Sequence, residues 1–180
     1  DIEAEFISEI EKSPIKNGRL TAKVEHFEEY LQALQEISPV PVRFWRLTNK
    51  NGCCYPVEKL IVIRKGMSQA QTIKTLVHEI AHAKLHALSE KDWQEDDAAN
   101  EALREIQAES VAYVVCRRLG IYTFSFSFPY MEQWIRGKRF EELAALADVA
   151  LRTADETLTK LLASFQRGQV LRAGVPAAIL

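Results

Sequence analysis

The sequence predicts an α+β fold: helices, then a small, mostly antiparallel three-stranded sheet, then helices again. Three observations predict it. Apolar residues recur at helical spacing over 20–38 and again from about 69 onward. Between those stretches lie short β-branched and aromatic runs separated by Asn, Gly and Pro. Beyond residue 98 the pattern returns to helices.

The elements follow in order. "IEAEFISEIEK" (2–12) is helical in period and ends near Pro14. In 20–38, Leu20, Val24, Phe27, Leu31 and Leu34 form one stripe, and Pro39 and Pro41 close the helix. "VRFWRLT" (42–48) reads as a strand, "NKNG" as a turn and "CCYPV" as the return strand, so 42–57 is expected as a hairpin. "KLIVIRK" (59–65) is a third strand, either an edge on which an extended substrate could pair or an interior strand, and Gly66 ends it. Ser68 and Gln71 make a capping box for a helix over 69–88. The acidic stretch 89–97 is a solvated connection, and Asp96 or Asp97 caps a helix over 98–119 that stops at Gly120. An irregular aromatic segment (121–129), a short helix (130–136), a long helix (139–166) and a loosely held tail complete the chain.

Composition narrows the function. The 180 residues suffice for one domain with a real core, and 1–180 is read as a single domain. No run approaches the roughly 18 apolar residues of a membrane span, and the start shows no signal-peptide pattern. A net charge of −2 lacks the basic surface on which nucleic-acid binders rely. Cys53, Cys54 and Cys116 form no CxxC pair and read as reduced thiols of a cytoplasmic protein. Asp1 is not a start methionine, which suits a processed product or a domain of something longer.

The chemistry concentrates in "TLVHEIAHAKLH" (75–86). Residues four apart on a helix share a face, about 6 Å apart at Cβ, so His78 and His82 can point two imidazoles at one ion. Glu79 lies beside the first of them, near enough to touch a water on that ion without replacing it. This HExxH arrangement suits Zn2+, with Glu79 as the base. His86 rises about 12 Å from His78, too far to join both histidines at one ion, and reads as a neighbour of the site or a surface histidine. A histidine six residues after His82 is excluded, because position 88 is Leu. The third ligand is therefore sought in the next helix, which offers Glu101, Glu105 and Glu109. On a helical wheel Glu109 falls in the middle of the buried side, opposite Arg104, Gln107 and Arg118. A buried carboxylate needs a cation: the ion, or a Lys or Arg salt bridge. Glu105 is the alternative ligand, or an acceptor for a ligating histidine's outer N–H.

These segments, "IVIRKGMSQAQTIKTLVHEIAHAKLH", "EIQAESVAYVVCRRLGI" and "FSFPYMEQW", resemble the zincin domains of ImmA/IrrE-like metallopeptidases, near the ArdC-like antirestriction proteins of mobile elements. The resemblance covers about 40–135 and implies a minimal zincin: helices around a short sheet, with the active helix packed beneath it. It implies zinc on His78, His82 and Glu109, with Glu79 as catalytic base. It also implies a protein or peptide substrate, since some relatives cleave regulators of a mobile element or a stress response. Such relatives often carry a partner DNA-binding domain, and none is evident here. "YTFSFSFPY" departs from the family's usual Ser-Asp-containing version of that loop. The expectation is a zinc-dependent endopeptidase. The main rival is a non-catalytic zinc-binding antirestriction or regulatory module, and a weaker one is a metal-free helical interaction domain. Tyr113, Tyr122, Tyr130 and His86 are candidate oxyanion donors.

Overall fold

A computed structural model describes residues 15–16, 19–86, 98–123, 132 and 136–172. The helix expected over 2–12, the connection 89–97, most of the aromatic segment and short helix, and the tail lie outside the described residues.

A two-residue ladder opens the described chain: β1 (Ile15–Lys16) pairs antiparallel with β2 (Arg19–Leu20). Leu20 is fully buried, and the backbone after it stays extended across the start of a later helix. There the Ala70 N–H donates to the Ala22 carbonyl (3.2 Å), and the Val24 N–H donates to the Gln69 side-chain oxygen (2.8 Å). Tertiary partners thus claim the backbone groups that a helix over 20–26 would have used. His26 turns the chain in a left-handed conformation (φ 56°), and α1 runs only over Phe27–Ile37. Glu28 and Glu29 sit in its first turn, where the helix dipole favours acids.

The sheet contains β3 (Val42–Trp45), β4 (Gly52–Tyr55) and β5 (Leu60–Arg64) in the order β3-β5-β4. Here the hairpin reading of 42–57 fails. β3 runs parallel to β5, and the antiparallel pair is β4 with β5, joined through 56–59. The sheet is therefore mixed. Of the two readings of 59–65, the interior strand holds and the edge does not, because β5 is the central strand. The cause is burial. "LIVI" is the most apolar run of the three, and Ile61 and Ile63 are wholly inaccessible to solvent. Burying such a side chain is worth about 1.5–3 kcal/mol, so the central place goes to the strand with most to bury. Val42, Phe44 and Cys54 join these isoleucines on the face turned to the core.

Beneath that face lies α2 (Gln69–Leu85), the central element, which touches α1, β4, β5 and α3 (Ala98–Arg118). α3 ends where Gly120 takes φ +74°. The Ile121 and Gly120 N–H groups return to the Cys116 and Arg117 carbonyls, a Schellman stop. α4 (Phe140–Arg172) is longer than expected and packs on both α1 and α3. Among the described residues no helix is long and apolar enough to cross a membrane.

The start of α2 depends on Ser68. Its hydroxyl oxygen accepts from the Gln71 N–H (3.2 Å), while its hydrogen goes to the Leu20 carbonyl. The reciprocal half of the capping box is absent, because the Gln71 amide donates instead to the Thr75 hydroxyl (3.1 Å). Ser68→Ala is expected to cost about 1–2 kcal/mol and lower Tm by roughly 2–8 °C. Thermal denaturation checks this, and an unchanged Tm would deny Ser68 its capping role.

Candidate metal centre

α2 presents Gln71, Lys74, Thr75, His78, Glu79 and His82 to a cleft of about 760 Å³, closed by α3 on one side and β4 on the other. The helical repeat puts Lys74, His78 and His82 on one stripe, and the apolar residues Ile73, Leu76, Val77 and Ile80 fill the core.

Three side chains meet at one point. The Nε2 atoms of His78 and His82 are 3.0 Å apart. Glu105 of α3 spans both, with Oε2 3.4 Å from His78 Nε2 and Oε1 3.2 Å from His82 Nε2. Among the described residues these three are the group whose donor atoms could hold one metal ion. A tetrahedral ion with bonds of about 2.0–2.1 Å sets its ligands about 3.3 Å apart, which matches these separations.

The two glutamates of α3 occupy places opposite to those expected. Glu109, expected to complete the ligand set, lies behind it. Its Oε2 is 2.8 Å from the Lys74 ammonium in a pair that is almost fully buried. The same oxygen is 3.3 Å from His78 Nδ1, a buried atom with no well-aligned partner. Glu109 thus has the lysine salt bridge weighed as its plainer alternative, and the outer N–H of His78 faces it. Glu105, one turn earlier and less buried, reaches the imidazoles' inner edges.

Electrostatics favour positive charge at this point. Burial pulls His78 toward neutrality, but the Glu105 and Glu109 carboxylates outweigh it and raise the imidazole to about 9. Burial opposes ionisation of Glu105 and Glu109, yet the histidines, and Lys74 for Glu109, hold both well below the carboxylate range. Four carboxylates, Glu79, Glu101, Glu105 and Glu109, line the cleft against three cations, Lys50, Lys74 and Arg104. With neutral imidazoles the lining keeps a net negative charge, which suits a bound cation.

Glu79 is held from the β4 side. The Cys54 backbone N–H donates to its carboxylate, and burial raises its pKa against the pull of His78 and His82. A Cβ on Gly52 would stand 2.8 Å from Glu79 Oε1, 2.9 Å from its Cγ and 2.7 Å from the Thr75 methyl. Only glycine lets β4 come this close. The Cys54 thiol, facing the same way, is pushed up to about 12 by burial and then by Glu79. It behaves as packing.

His86 lies outside the three-atom cluster but touches it, with its Nδ1 3.1 Å from His82 Nδ1. Neither Tyr113 nor Tyr122 lines the cleft, Tyr122 lying instead under the Arg117 guanidinium, and Tyr130 is outside the described residues. Sequence reasoning missed Lys74 and Gly52. Lys74 could have been found: one turn before His78, it falls about 40° from it on the same face. Gly52 carried no signal, since its role depends on which strand lies beside α2.

Residues 35–118 match the model of peptidase family M78, the IrrE N-terminal-like domain. An uncharacterized protein of Bacillus anthracis, pXO2-81, is 32% identical over 83 residues, which is 46% of this chain and 13% of that protein. The chain thus corresponds to a small part of that relative. No solved structure matches. The family match runs from the last turn of α1 through the sheet and α2 to the end of α3, and so contains every cleft residue named above. The likeness to the IrrE N-terminal-like domain of the ImmA/IrrE-like family thus extends over residues 35–118, the part of the chain that builds the cleft.

Proposed function

We propose that this chain is a zinc-dependent endopeptidase, with the metal on His78, His82 and Glu105 and with Glu79 as the general base. The observation that carries the reading is the tetrahedral spacing of three donor atoms beside a fourth, separately anchored carboxylate. The match to a peptidase family supports the same class. Zinc held there supplies a Lewis acid that makes water acidic near neutral pH and polarises a scissile carbonyl.

The protein's own groups do the rest. Glu79, with its raised pKa, takes the proton of the attacking water and passes it to the leaving amine. The Cys54 N–H and the bare Gly52 backbone keep its carboxylate aimed into the cleft. Lys74 holds Glu109 behind His78. The edge suited to an extended substrate is β4, not the strand singled out from the sequence. β4 ends the sheet among the described residues, and Gly52, Cys53 and Cys54 line the cleft. An extended protein segment adding to that edge would carry a peptide bond past Glu79. The substrate we propose is a regulatory protein of a mobile element or stress response, as in the ArdC-like direction of the resemblance. The free thiols of Cys53, Cys54 and Cys116 suit a cytoplasmic setting.

Zinc titration of the metal-free protein orders the two α3 glutamates. Glu105→Gln is expected to weaken zinc binding more than 100-fold, and Glu109→Gln by roughly 10–100-fold, as a supporting group would. The reverse order would make Glu109 the ligand. Against a proteome-derived peptide library, Glu79→Gln should bind zinc and melt as the wild type does but lose about 10²–10⁴-fold in cleavage rate. Cleavage at the wild-type rate by this variant would remove Glu79 from the chemistry. A zinc-loaded wild type that cuts nothing would favour the non-catalytic binding module. Gly52→Ala should push Glu79 aside and cut the rate roughly 100-fold with zinc retained, and full activity would show that the β4 clamp is dispensable.

A further inference from the structure

The last histidine of α2 is not among the three clustered donors, yet its ring sits against the far side of one of them. His86 is the C-cap of the helix, its backbone N–H bonded to the His82 carbonyl (2.8 Å). Its side chain spans two helices. His86 Nδ1 is 3.1 Å from His82 Nδ1, and His86 Nε2 is 2.9 Å from the side-chain oxygen of Gln107 on α3. A line of contacts therefore runs from Gln107 through His86 and His82 to the cluster.

The line has a direction. A neutral imidazole carries one proton on two nitrogens. The Gln107 oxygen can only accept, so His86 Nε2 donates to it and His86 Nδ1 keeps its lone pair. Two Nδ1 atoms 3.1 Å apart share one proton, and it must then belong to His82. That leaves His82 Nε2 bare, on the side where His78 and Glu105 lie. The opposite polarity, with the Gln107 amide reversed, would put a proton on His82 Nε2 and close it to a cation. His78 has Glu109 at its outer nitrogen. His82 has His86 there instead.

We infer that His86 and Gln107 are a positioning pair that holds His82 in its Nδ1–H tautomer and so sets the affinity of the cleft for its metal. The inference rests on the zinc reading of the cleft. Outer-shell partners of a metal-bound histidine are typically worth 10–100-fold in metal affinity.

The test uses the full chain, zinc alone as probe, and competition with a chromophoric chelator. His86→Leu should weaken zinc binding 10–100-fold. His86→Asn, whose amide oxygen can accept from His82 Nδ1–H, should recover most of the loss, and Gln107→Leu should fall between. Long-range ¹⁵N–¹H spectra of the metal-free protein read the tautomer directly. His82 should be protonated at Nδ1 in the wild type and mixed in His86→Leu. Unchanged affinity with an unchanged tautomer in His86→Leu would overturn the inference. So would equal losses in the Leu and Asn variants accompanied by lowered melting, which would show a purely structural residue. If the wild type binds no zinc, the metal reading fails by itself. The tautomer spectra then still decide whether His86 directs His82.

Discussion

The packing of α3 against α2 is the contact on which the rest depends. It brings one carboxylate, Glu105, across the inner nitrogens of His78 and His82, and a second, Glu109, against Lys74 and the outer nitrogen of His78. Each of these groups would be costly to bury alone. Together they satisfy one another in part, and the net negative charge left in the cleft suits a cation. The apolar residues beneath, Val77, Ile80, Ala81, Ala108, Val111 and Ala112, keep the two helices in contact. Small alanines at several of these places suit a close helix approach, which a short glutamate side chain needs to reach the partner helix's imidazoles.

The sheet contributes position more than chemistry. β5 anchors the core with Ile61 and Ile63, and β4 hangs from it antiparallel with its backbone against Glu79. A hydrolytic base must lie beside the ion without binding it. Here a different element holds each group: α3 brings Glu105 to the two imidazoles, and β4 holds Glu79. Losing one contact need not destroy the other, so the two can be separated by mutation.

Much of this was legible in the residues. The α+β class, the helix α2 with its Ser68 cap, the stop at Gly120 and the shared face of His78, Glu79 and His82 follow from local chemistry, which depends on near neighbours in the chain. The misreadings arose where long-range partners decide. The segment 20–26 has helical periodicity, but Ala70 and Gln69 take its backbone groups. Asn51-Gly52 looks like a hairpin turn, but the order of three strands depends on which has most to bury. Glu105 and Glu109 lie one turn apart on one face, and the wheel ranks them by burial alone. The more buried glutamate is the one the sequence points to as ligand, and in the structure it is also the one with a lysine partner.

The most direct test of the central claim is the position of zinc itself, read by anomalous scattering at the zinc edge from crystals of the zinc-loaded protein. The account predicts a single peak about 2.0–2.2 Å from His78 Nε2, His82 Nε2 and a Glu105 carboxylate oxygen, with Glu109 still on Lys74. A peak bonded to Glu109 while Glu105 turns away would contradict the ligand assignment. No peak, with a protein cation filling the same place, would contradict the metal centre altogether.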